Sequence, residues 1–191
     1  MHNSQNSFIS AGLKFCLPIL ILTFLCTCAA SHHNLQEPAE IAAMDFSGDV
    51  RKKIDMLQHD LTALNDGVDL GEARRLAETS ISYSLFLADE YRLVRPPYLH
   101  NILVRIGLKE RGLCYQWTED LMNRLTLLEL KSFHLHEGVA HKGSELREHN
   151  SVVVTAKGQE FSEGIVLDPW RDSGNLYWAL VKTDRYKWEK R

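Results

Sequence analysis

The sequence predicts an α+β protein in which helices come first and pack on an antiparallel sheet formed by the second part of the chain. Three observations predict it. Apolar residues recur every three to four positions from Val50 to Leu128. From Lys131 the apolar period changes to two. Gly143, Gly158, Gly164 and Gly174 then punctuate the chain between short apolar runs. Helices segregated from strands, rather than alternating with them, belong to the α+β class.

The elements follow in order. Lys14 precedes an apolar run from Phe15 to Cys26 that carries Pro18, and the small residues Thr27, Cys28, Ala29, Ala30 and Ser31 come next. A positive flank, a short apolar core and small residues make an export signal over residues 1–30. The run is shorter than the ~20 residues of a membrane span. Leu25-Cys26-Thr27-Cys28 reads as a lipoprotein box that leaves Cys28 as a lipidated N-terminus. Cleavage before Ser31 is the alternative. Residues 31–48 are polar and read as a tether, and residues 49–191 read as one domain.

Within that domain, Asp49 opens a helix with Val50, Ile54, Leu57, Leu61 and Leu64 on one face, ended by Asn65-Asp66-Gly67. Asp69 and Glu72 form a capping box for a longer second helix, which Pro96-Pro97 stops. A short helix runs from about Tyr98 to Ile106, and Gly107 ends it. A fourth starts near Cys114, with Trp117, Leu121, Leu125 and Leu128 on its apolar stripe. Strands are expected around Phe133–Val139, Val152–Val154, Ile165–Leu167 and Leu176–Val181. The basic residues Arg185, Lys187, Lys190 and Arg191 read as a solvated tail.

Bulk properties narrow the function. The chain has 191 residues, is 45% hydrophobic and carries a formal charge of −3. That balance speaks against nucleic acid, whose phosphates demand clustered excess cations. The spacing of Gly107 and Gly112 makes no phosphate loop, and no cofactor is expected. Of four cysteines, Cys16, Cys26 and Cys28 fall in the signal region. Cys114 therefore has no partner for a disulfide in the mature chain. It is either a buried, inert thiol or a used one.

Its position favours use. Cys114 opens a helix, where unpaired N–H groups and the positive end of the macrodipole stabilise a thiolate. His149 enters a strand directly, and Asp168 closes the next one before Pro169 and Trp170. If the two strands are antiparallel neighbours, His149 and Asp168 lie side by side. A thiolate, a base and a group that orients the base are what nucleophilic cysteine catalysis needs. His100, His134, His136 and His141 are the other candidate bases. The Cys114 backbone N–H is the natural oxyanion donor; the sequence does not identify a second, for which Asn101 and the tryptophan indoles are candidates. A zinc site built on His134 and His136 competes, but His-x-His is a weak motif and Glu137 lies on the other face. No metal is expected.

The order Cys114, His149, Asp168, with Gly112-Leu113-Cys114 opening a helix and Leu167-Asp168-Pro169 ending a strand, resembles the transglutaminase-like superfamily. More narrowly it resembles the bacterial transglutaminase-like cysteine proteinases. His149 follows Cys114 by 35 residues and Asp168 follows His149 by 19. The resemblance covers roughly residues 72–178. One position departs: an aromatic residue commonly follows the histidine, and here Asn150-Ser151 does. The resemblance implies a papain-like α+β core, hydrolysis or transfer at amide bonds, and Cys114, His149 and Asp168 as nucleophile, base and orienting group. The expected protein is an envelope enzyme, lipid-anchored and acting on a peptide, protein or peptidoglycan-like amide. The alternative is a catalytically silent scaffold that keeps the fold.

Overall fold

The computed structural model describes residues 47–191. The expected export signal, the lipidation residue Cys28 and nearly all of the tether lie outside the described residues. Four helices come first: α1 (Gly48–Thr62), α2 (Leu70–Glu90), α3 (Pro97–Arg105) and α4 (Cys114–Thr126). Five strands follow: β1 (Phe133–Ala140), β2 (His149–Ala156), β3 (Ile165–Asp168), β4 (Tyr177–Leu180) and β5 (Trp188–Lys190). They form one antiparallel sheet in the order β4-β3-β2-β1-β5. The expected α+β class, helices before sheet, is what the chain adopts.

The sheet has two covered faces at its centre. All eight residues of β2 are buried. Val152 and Val154 join the main core with Trp117, Leu121 and Leu125 of α4 and Leu76, Ile81 and Leu87 of α2. Val153, one pleat away, belongs to a second cluster with Val166, Val181 and Trp188. This explains why β2 reads as a continuous apolar run rather than an alternating one. Each large aliphatic side chain so buried contributes about 1.5–3 kcal/mol.

Two expectations are corrected. The basic C-terminal stretch is not a solvated tail. Residues 188–190 pair with β1 as an edge strand, Trp188 opposite Ala140, and Trp188 is buried. Charge dominated the reading there, while one tryptophan decides the outcome. The capping box of α2 is also only half formed. Asp69 accepts the Glu72 N–H at 2.7 Å, but the Glu72 carboxylate does not reach back. It accepts the N–H groups of Lys131 and Ser132 and the Ser132 hydroxyl instead, tying α2 to the start of β1. Those three donors hold it ionised: burial pushes the carboxyl up, and the hydrogen bonds bring it below its ordinary value.

Candidate active site

The segment that delivers Cys114 is fixed at each step. Gly112 has φ +125°, a conformation side chains rarely adopt, and a Cβ there would meet His100 Nε2 at 2.3 Å. His100 is fully buried. Its Nδ1 accepts the Val94 N–H at 3.1 Å, and its Nε2 donates to the Arg111 carbonyl at 2.8 Å. With both nitrogens engaged, this candidate base is a structural post. Trp117 Nε1 donates to the Gly112 carbonyl, and Gln116 Oε1 accepts the N–H groups of Gly112 and Leu113. Arg111 pairs with Asp120 at 2.7 Å, and Asp120 also accepts the Tyr91 hydroxyl. Asp120 therefore anchors the loop that leads into α4.

Cys114 begins α4 and is half-buried. Its backbone N–H meets no acceptor among the described residues. The thiol approaches the Glu148 carbonyl at 3.7 Å, and the Asn150 amide nitrogen lies 3.9 Å from the sulfur.

His149 begins β2, as the sequence predicts. Its ring sits among Trp170, Tyr186 and Trp188, with centroids 4.8, 5.0 and 5.4 Å away. Pairing of Val152 with Leu167 across β2 and β3 brings Asp168, the last residue of β3, alongside. His149 Nε2 lies 2.6 Å from Asp168 Oδ2, which leaves Nδ1 for the sulfur. Burial pulls the imidazole down. The Asp168 hydrogen bond and charge, together with the Cys114 sulfur, outweigh it and push the ring up to about 9. Burial likewise opposes ionisation of Cys114, but neighbouring His149 and Asn150 outweigh it and hold the thiol below its ordinary value.

The carboxylate has further partners that the sequence reading did not single out. Asp168 is fully buried and accepts the Arg171 backbone N–H at 3.1 Å and Arg171 Nε at 2.9 Å. Arg171 in turn forms a two-pronged pair with Asp184, at 2.8 and 2.7 Å. Asp184 also accepts Trp188 Nε1 at 2.7 Å, and Trp188 packs on His149. The guanidinium lies over Tyr177, 4.0 Å from the ring centre. The only local signal for this was an arginine three residues beyond a strand-ending Asp; Asp184 lies too far along the chain to be foreseen.

An open groove of about 600 Å³ reaches Cys114 and His149, bounded by α3, the start of α4 and the loop between β1 and β2. Tyr98, Tyr115, Trp170 and Tyr186 supply aromatic walls. Asn101 lines the groove, and its Oδ1 accepts Trp170 Nε1 at 3.0 Å, turning its amide nitrogen away from that contact. The indoles of Trp117, Trp178 and Trp188 donate to Gly112, Asp60 and Asp184. All four tryptophan N–H groups are thus engaged with protein acceptors.

His134 and His136 share a face of β1, as expected, with ring centres 6.3 Å apart, and His136 Nε2 meets the Thr155 hydroxyl at 3.0 Å. Among the described residues no group of three or more His, Cys, Asp or Glu is placed to hold a metal ion. His141 lines the groove but lies against Tyr186, not beside the sulfur.

Comparison of this chain with protein-family models, with curated proteins and with solved structures gives no match. The site's chemistry is therefore argued from its own geometry. A thiol, an imidazole and a buried carboxylate in sequence can exchange a proton and generate a thiolate beside a free backbone N–H.

Proposed function

We propose that the protein is a cysteine-nucleophile enzyme of the cell envelope that acts on amide or related acyl bonds, with a transglutaminase-like, papain-like arrangement of its core. The observation that carries this reading is the His149–Asp168 contact at 2.6 Å, made through Nε2 and leaving Nδ1 for Cys114. His149 takes the Cys114 proton, and the ion pair is the resting nucleophile. The sulfur attacks the acyl carbon, an S–C bond forms, and the carbonyl π pair moves to oxygen. The Cys114 N–H and the Asn101 amide receive that oxyanion. Collapse breaks the C–N bond as His149 returns its proton to the departing amine. Water or a second amine, deprotonated by His149, then cleaves the thioester.

The groove suits an extended peptide-like acyl donor, whether from a peptide, a protein or a peptidoglycan-like amide. Its aromatic walls supply contact area at low entropic cost. Lipidation at Cys28 would tether the enzyme to a membrane.

The test is covalent labelling of Cys114 by a thiol-directed electrophile at pH 6. Fast labelling that His149→Ala slows by tenfold or more supports the enzyme. A second reading, a silent scaffold, draws on the thiol's contact with the Glu148 carbonyl. It predicts labelling at the rate of an ordinary thiol in both proteins.

A further inference from the structure

Asn150 is the buried group that the mechanism above does not use. It follows His149 on β2, and the pleat turns it to the opposite face, toward α4. Its Nδ2 lies 3.9 Å from Cys114 Sγ. Its Oδ1 is occupied, accepting Arg191 Nη2 at 2.7 Å. Arg191 is held in turn. Its guanidinium pairs with Glu148 and lies 3.7 Å from Glu137, and its backbone N–H donates to the Glu137 carbonyl at 3.0 Å. Resting on the reading of Cys114 as nucleophile, we propose that the Asn150 side-chain amide is a further catalytic group, a donor to the Cys114 sulfur that Arg191 locks in the donating orientation.

The argument is one of orientation. An asparagine amide offers a donor at one end and an acceptor at the other. Rotated by half a turn, Asn150 would present its oxygen to the sulfur and repel the thiolate. Arg191 has donors only, so it engages Oδ1 and leaves Nδ2 for Sγ. Arg191 is a positioning residue: it acts through Asn150 without touching the sulfur.

The charged surroundings of the sulfur fit this role. From β2, His149 is the titrating group that faces it, with Asp168 and Arg171 behind the ring. Glu148, Glu137 and Arg191 lie behind the amide and neutralise one another in part. On α4, Glu119 and Asp120 are taken up by Arg111. From α3, Arg105 lines the groove.

A donor to a thiolate has two opposed effects. It increases the ionised fraction at low pH and reduces the nucleophilicity of the ion formed, with a Brønsted slope of about 0.4–0.5. Removing it therefore makes the pH profiles of reaction cross. The experiment is iodoacetamide alkylation of the full chain from pH 4 to 10. It is followed on the Cys114 peptide by mass spectrometry, so that the three N-terminal cysteines do not contribute. For Asn150→Ala the midpoint is expected to rise by about one unit. Alkylation is then about threefold slower below both midpoints and about threefold faster above them. Arg191→Ala, with a side chain 41% exposed and low risk to folding, gives a smaller shift in the same direction. Added to Asn150→Ala, it gives no further shift.

Superimposable profiles for Asn150→Ala and wild type overturn the inference, as does equal slowing at every pH, which marks lost access rather than a lost donor. A shift with Asn150→Ala but none with Arg191→Ala overturns the locking role. A wild-type midpoint at the value of an ordinary thiol overturns both this inference and the enzymatic reading. A low midpoint that His149→Ala raises and Asn150→Ala leaves in place overturns this inference alone.

Discussion

His149 and Arg171 donate to the same oxygen of Asp168, at 2.6 and 2.9 Å. One buried carboxylate oxygen thus serves two cationic side chains, and Asp184 supplies the balancing charge on the far side of Arg171. Site chemistry and fold stability meet on one atom. Substitutions around it separate the two.

Asp168→Asn keeps the shape but removes the charge that supports the imidazolium. The amide can also select the wrong tautomer of His149. Turnover, once a substrate is in hand, is expected to fall by about 10²–10⁴-fold. Alkylation of Cys114 at pH 6 falls with it. Unchanged alkylation would sink the orienting role.

Arg171→Ala removes the bridge between Asp168 and Asp184, both fully buried at their side chains. Two buried carboxylates then lack their cation. The expected loss is about 3–5 kcal/mol in urea unfolding. Asp168→Asn/Arg171→Met, which removes both partners of one pair, is expected to lose less than Arg171→Ala alone. A double-variant loss equal to the sum of the two single losses would show that the network carries no coupling.

The pH dependence has a definite sign. His149 is raised from its ordinary 6.5 to about 9, so the fold gains from its protonation. That gain is whole below about 6.5 and fades as pH rises through about 9. Cys114 is lowered from 9.0, so its ionisation favours the fold above that ordinary value and is lost as pH falls through the lowered one. On the proposed mechanism, the ion pair is expected between the lowered thiol value and about 9. A bell-shaped rate follows, with its alkaline limb near pH 9. A ¹H–¹⁵N titration of the His149 ring checks the upper limb directly, and a midpoint near 6.5 contradicts it.

Gly112→Ala is expected to lower stability by at least about 2 kcal/mol, from strain at positive φ and from collision with His100. For a domain of this size that corresponds to a fall in Tm of about 4–8 °C. Labelling of Cys114 is expected to drop as well, since the loop sets the helix start. Substitution at Gly158, where φ is +87° but a Cβ meets nothing within 4 Å and the groove is distant, leaves labelling unchanged.

Much of this was legible in the sequence because it was local. The apolar period, Asp69 and Gly107 located most helix ends, although α2 stops at Glu90 and Pro96-Pro97 instead open α3, and the antiparallel neighbours β2 and β3 put His149 beside Asp168. What escaped depends on contacts far along the chain. Glu72 reaches Ser132, sixty residues on, and its spacing from Asp69 mimicked a reciprocal cap. Arg171 and Asp184 look like surface charges until burial between sheet and aromatic rings is known. The Trp188 strand was hidden by neighbouring lysines and arginines, which point outward while the indole points in.

On the proposed reading, the strand at 188–190 ties the state of the Cys114 thiol to a distant edge of the sheet. Trp188 walls the imidazole, and the residue just after the strand engages Asn150. Edge strands open most readily, and here opening would unroof the imidazole and free the asparagine to turn. On that reading, a chain in which residues 188–190 have not docked would carry a thiol of ordinary reactivity.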